Sequence, residues 1–129
     1  MISFTVCKEV KDKEKVLSII KDVKRMPEFW KGTRELNVVE VGQGVYEGEV
    51  KFAFPSKGKV RIEVLENKVV VNYLKGPVIG KHEIYVEGDK ICSSWNVRLS
   101  FPFNLREKWT AEHFKSGTVH ALERIVNSQ

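Results

Sequence analysis

The sequence predicts an α+β fold in which a curved antiparallel sheet of about seven strands wraps round a long C-terminal helix, with two short helices after the first strand. Three observations carry this. Turn signals recur at about ten-residue intervals between Thr33 and Phe101. A helical apolar pattern separates the opening strand from them, and Pro102 closes the strand series just ahead of a second helical stretch.

The elements follow in order. Ile2, Phe4 and Val6 alternate with polar residues, the period-two pattern of a half-buried strand. Asp12 is placed to cap a helix whose apolar residues Val16, Ile19, Ile20 and Val23 fall at i, i+3, i+4 and i+7. Met26-Pro27 interrupts that helix, and Pro27 is suited to start a second short helical turn carrying Phe29 and Trp30. Six strands are expected beyond Thr33, delimited by Gly42-Gln43-Gly44, Pro55-Ser56-Lys57-Gly58, Glu66-Asn67, Gly76-Pro77 and Gly88-Asp89. The clearest alternation sets Ile91, Ser93, Trp95, Val97, Leu99 and Phe101 on one face and Cys92, Ser94, Asn96, Arg98 and Ser100 on the other. Asn104 followed by Glu107 has the spacing of a capping box, so the last helix is expected from there to about Val126. Such a helix is roughly 33–36 Å long, and a ten-residue strand is roughly 33 Å, so the helix matches the sheet it must cover. A strongly twisted sheet wrapped about one helix leaves room for an internal hollow.

The chain has 129 residues, 42% apolar and 30% charged, and carries no linker, repeat or low-complexity stretch, so residues 1–129 read as one domain. This composition excludes intrinsic disorder and a small cysteine-stapled scaffold. The longest aliphatic runs, such as Val69-Val70-Val71, are far too short to span a bilayer, so no stable membrane insertion is expected. Met1 to Val6 is apolar but meets Lys8, Glu9, Lys11 and Asp12 too soon for a signal peptide, which points to a cytoplasmic protein, monomeric or homodimeric. Of the net charge of +5, most is N-terminal, since residues 1–34 hold nine Lys/Arg against five acids. That reads as a solvated surface of mixed sign, and without basic blocks interleaved with aromatics no nucleic-acid partner is expected. Abundant Lys, Glu and Val with only two Gln fits a thermophile.

The order of elements along the whole chain, and locally the segment Met26-Pro-Glu-Phe-Trp-Lys-Gly-Thr-Arg-Glu-Leu, resembles the START-like superfamily with the helix-grip fold. That superfamily includes the major birch-pollen allergen, lipid-transfer domains and the polyketide cyclase/dehydrase group. The resemblance implies a hydrophobic cavity between the curved sheet and the C-terminal helix, gated by the two short helices and nearby loops. It does not imply one substrate. The function expected is binding of a small hydrophobic or amphipathic ligand: a lipid, a fatty acid or a polyketide-like molecule. The alternatives are a cyclase/dehydrase-type enzyme using cavity histidines and a protein-interaction module such as a chaperone activator.

Strand parity supplies the candidate lining. Val50, Phe52 and Phe54 are expected inward on one strand, Val60, Ile62 and Val64 on its neighbour, and His82, Ile84 and Val86 on a third. His82 is then a polar group on an apolar wall, fit to orient a ligand. Trp95 and Val97 share the inward face of the last strand, and Trp109 and His113 lie one helical turn apart. Gly117, costly inside a helix, marks a bend, close contact with a strand or room for a ligand. Phe29 and Trp30 are expected at the mouth beside Lys31 and Arg34, a pairing that suits an apolar tail with an anionic head. The expected ligand-binding set is therefore Trp30, Phe52, Phe54, Val60, Ile62, His82, Ile84, Trp95, Val97, Trp109, His113 and Gly117.

No metal, cofactor or catalytic residue is expected. His113 and His120 share a helix face but stand about 10.5 Å apart along the axis, beyond the reach of ligand–metal bonds near 2 Å. Gly42-Gln43-Gly44 leads into a strand and is a hairpin turn, and no Gly-x-Ser-x-Gly elbow occurs. His82, His113, Tyr73 and Tyr85 are the available acid/base groups, and they form no convincing pair. Cys7 and Cys92 both face outward by parity, and in the helix-grip topology the first and last strands are antiparallel neighbours. Two free thiols are expected, with a cross-strand disulfide as the alternative.

Overall fold

The structure is a computed structural model, and it describes residues 1–128. Strand β1 (Ile2–Glu9) leads into helix α1 (Lys13–Lys21), a 3₁₀ turn (Val23–Arg25) and the short helix α2 (Met26–Phe29). Six strands follow: β2 (Thr33–Gly42), β3 (Val45–Phe52), β4 (Lys57–Val64), β5 (Lys68–Lys75), β6 (Val78–Glu87) and β7 (Lys90–Leu99). A 3₁₀ turn (Phe103–Arg106) then opens helix α3 (Glu107–Asn127). All seven strands are antiparallel in one sheet of order β1-β7-β6-β5-β4-β3-β2. This is the α+β helix-grip architecture expected from the sequence.

The local signals act as the chemistry requires. The Asp12 carboxylate accepts the Lys15 amide at 3.2 Å and caps α1, and Val16, Ile19 and Ile20 are buried. The predicted capping box does not form. The last helix starts at Glu107 rather than Asn104, without a side-chain cap, because the chain first makes a 3₁₀ turn. Glu107 instead accepts the N-terminal ammonium of Met1 at 2.6 Å, which ties the start of the chain to the start of α3.

The sheet is bent by glycines that lie against neighbouring strands. A Cβ at Gly48 would run into the carbonyl of Asn37, and one at Gly80, whose φ is +136°, would run into the carbonyl of Asn96. Only glycine allows that approach, so these positions coil the sheet round the interior. Its concave side carries Val50, Val60, Ile62, Val69, Val71, His82, Ile84, Val86, Trp95 and Val97, all buried as parity predicts. Helix α1 packs on β5 and β6, while the C-terminal half of α3 adds Thr118, Ala121, Leu122 and Ile125 to the core. The convex side is polar, with cross-strand pairs such as Arg61–Glu47 at 2.7 Å and Lys51–Glu35 at 3.2 Å. Exposed pairs of this kind each contribute about 0–1 kcal/mol.

The cysteines correct the sequence reading. Cys7 and Cys92 are directly opposed in the β1–β7 ladder and form a disulfide, so neither is a free thiol. Cys7 is exposed as expected, whereas Cys92 is buried beneath its partner. Among the described residues no helix is long and apolar enough to cross a membrane.

Candidate functional site

The α3 stripe Phe114, Thr118, Ala121, Leu122 and Ile125 seats the helix, Phe114 half-buried and the others buried. The adjacent stripe His113, Gly117, His120 and Arg124, spaced i, i+4, i+7 and i+11, instead faces a cavity of about 410 Å3 between helix and sheet. That volume lies within the about 300–1,000 Å3 usual for small-molecule sites. Opposite the helix stand Phe52 at the end of β3, Ala53 and Phe54 beyond it, Tyr73 of β5, Val78 of β6 and Trp95 of β7. The α2–β2 connection closes the remaining side with Trp30, Lys31, Gly32 and Thr33.

The sheet wall is a continuous run of rings. Phe54 stacks on Phe52 at 5.3 Å between centroids, Phe52 meets Tyr73 at 6.1 Å, Tyr73 stacks on Trp95 at 6.1 Å, and Trp95 meets Phe114 at 5.1 Å. Phe103 extends this edge outward, 5.6 Å from Phe54. The polar atoms of the wall are engaged among themselves. The Trp95 indole N–H donates to Thr118 Oγ1 at 2.9 Å, and the Thr118 hydroxyl donates to the Phe114 carbonyl at 2.7 Å. Burial raises the Tyr73 phenol well above its ordinary value, so it stays neutral. Among the described residues every buried side-chain nitrogen and oxygen has a partner. On its sheet side the cavity therefore presents ring faces.

Of the residues singled out from the sequence, Trp30, Phe52, Phe54, Trp95, His113 and Gly117 line this space together. Val60, Ile62, His82, Ile84 and Val97 face the same way but lie behind the wall, in the closed core. His82 is the instructive case: it stacks on Trp95 at 3.7 Å, meets Trp30 edge-on at 4.6 Å and bonds Ser93 Oγ at 2.6 Å. Burial lowers its pKa to about 3, so it is a neutral support for two tryptophans and does not touch the cavity. Trp109 is 63% exposed and reaches the site only by stacking on His113 at 5.4 Å. Lys31 lines the cavity but Arg34 does not.

Sequence reasoning did not assign Tyr73, Val78, Phe114, Thr118, His120 and Arg124 to the lining. The helical spacing from His113 already carried His120 and Arg124, while Tyr73 follows from the parity of Val69 and Val71. No cluster of His, Cys, Asp or Glu able to hold a metal occurs among the described residues.

No family model and no curated protein matches the sequence. Solved structures do. One is a protein from Thermus thermophilus, 15% identical, with a TM-score of 0.76 over 98% of this chain and 97% of that one. Another is the ZhuI aromatase/cyclase from a Streptomyces species, 15% identical, with a TM-score of 0.69 over 98% and 91%. A third is a STAR-related lipid transfer protein from Xanthomonas axonopodis, 10% identical, with a TM-score of 0.65 over 95% and 85%. At these identities the likeness establishes the fold, which is that of START-like and polyketide cyclase proteins.

Proposed function

We propose that residues 1–129 act as one unit that binds a small hydrophobic or amphipathic molecule, such as a lipid, a fatty acid or a polyketide-like compound, in the cavity between sheet and α3. One observation carries this reading: the space of about 410 Å3 has a sheet side walled by ring faces, and the Trp95 indole N–H there is already hydrogen-bonded to Thr118. Water against that ring wall has few partners, whereas an apolar surface laid on it is removed from water. Burial of apolar ligand surface supplies about 25 cal/mol per Å2 before association costs. Solved structures with this fold include one named as a lipid transfer protein and one named as an aromatase/cyclase, which supports the same reading. Binding is favoured over turnover because His82 lies outside the cavity against Ser93, so it cannot act in concert there with His113, which lines the cavity and stacks on Trp109.

The test is mass spectrometry under native and denaturing conditions, followed by titration of the delipidated protein with N-phenyl-1-naphthylamine, a neutral apolar fluorophore. A copurifying small molecule, or saturable one-to-one binding that Gly117→Phe weakens, supports the proposal. Probe binding that does not saturate, together with no copurifying species, overturns it.

A further inference from the structure

The two sides of the cavity differ in chemistry. The sheet side is aromatic, but the α3 side offers His113, His120 and Arg124, joined by Lys31 from the α2–β2 connection. Among the described residues no Asp or Glu lines the cavity, and neither Arg124 nor Lys31 forms an ion pair. Arg124 is half-buried and held in place: Nη1 donates to the Phe29 carbonyl at 2.7 Å, which leaves the rest of its fork free. Lys31 follows Phe29 by two residues, so both cations sit at the end of the cavity nearest α2. Between His113 and His120 the stripe is relieved by Gly117, where a Cβ would meet nothing within 4 Å. A ligand can therefore lie against the helix at that point.

We propose that the cavity takes an amphipathic organic anion, its charged group held by Arg124 and Lys31 and its apolar body laid against the Phe52–Tyr73–Trp95 wall. The argument is one of desolvation. A neutral molecule covering Arg124 strips water from a half-buried guanidinium and returns nothing, whereas a carboxylate or sulfonate returns charge-assisted hydrogen bonds. His120 lies one turn before Arg124 on the same stripe and adds a further N–H donor. This inference rests on the cavity-binding reading above and names the class of ligand for that same site.

The experiment compares 2-naphthoate with 2-naphthamide, which share a ring body and differ in charge, by displacement of N-phenyl-1-naphthylamine at low ionic strength. The wild-type protein is expected to bind the carboxylate about tenfold more tightly or better. Lys31→Gln, a change at an exposed side chain, should cut that preference several-fold. Arg124→Gln should bring it close to unity through a loss of carboxylate affinity; Arg124→Lys should restore part of it. Circular dichroism melting identifies any variant that fails to fold. Equal affinity for the two compounds in the wild type overturns the anion inference and leaves the cavity reading standing. Displacement by neither, with the fluorophore itself unbound, overturns both. A preference that persists in the Lys31→Gln/Arg124→Gln double variant overturns the assignment of these two residues.

Discussion

His82 lies flat against Trp95, with ring centroids 3.7 Å apart and planes within 10°, and its Nε2 is 2.6 Å from Ser93 Oγ. The cavity wall is thus backed by a histidine that does not itself line the cavity. Burial lowers its pKa from 6.5 to about 3. Between those values the unfolded chain binds a proton that the folded protein refuses, so stability rises with pH across this window and is lost on acidification. At 1.36 kcal/mol per pKa unit, the loss from this residue reaches at most about 4–5 kcal/mol by pH 3. His82→Gln should cost about 1–3 kcal/mol at pH 7.5, through the lost stack and hydrogen bond. The gap between variant and wild type should then narrow at pH 4.5. Urea unfolding at both pH values measures it, and a gap that stays constant refutes the assignment of His82 as a buried neutral group.

The Cys7–Cys92 disulfide spans 85 residues and staples the first strand in sequence to the last, its neighbour in the sheet. Closing so long a loop restricts the unfolded chain, and removing a native disulfide typically costs about 2–5 kcal/mol. Cys92→Ser, or reduction of the wild type, should lower stability by that amount. Since neither cysteine lines the cavity, fluorophore affinity at 15 °C should hardly change. An unfolding midpoint that is the same with and without reductant, in protein shown by thiol labelling to be reduced, would contradict this.

The sheet and its turns were legible because period-two alternation and glycine turns are local signals: from Ile91 to Leu99 every expected inward residue is buried, whereas Phe101, expected on the same face, lies past the end of β7 and is exposed. The α1 cap at Asp12 was legible for the same reason. What parity does not encode is which part of an inward face is covered. Val60, Ile62, Ile84 and Val97 point inward just as Phe52 and Trp95 do, yet they fall in the closed core, because helices and large rings cover them. The Asn104–Glu107 box failed because the chain makes a 3₁₀ turn over Phe103–Arg106 before the helix, and Glu107 bonds the ammonium of Met1, 106 residues away in sequence. The disulfide likewise depended on the β1–β7 register, Cys7 opposite Cys92, which only the assembled sheet provides.

Two glycines give opposite expectations from one substitution. At Gly80 the backbone has φ +136°, and a Cβ would strike the Asn96 carbonyl and the Val97 backbone across the β6–β7 ladder. Gly80→Ala should therefore destabilise the protein by at least about 2 kcal/mol, through left-handed strain and forced separation of the strands. At Gly117 the backbone is helical and a Cβ meets nothing within 4 Å. Gly117→Ala should stabilise by up to about 1 kcal/mol, the helix-propensity difference. Ligand affinity should be nearly unchanged, since one methyl group removes little of a cavity of about 410 Å3. Guanidinium unfolding of both variants measures the two signs at once. A destabilised Gly117→Ala would mean that the helix needs glycine there for a bend, and a neutral Gly80→Ala would mean that the sheet is less tightly coiled at β6 than its geometry indicates.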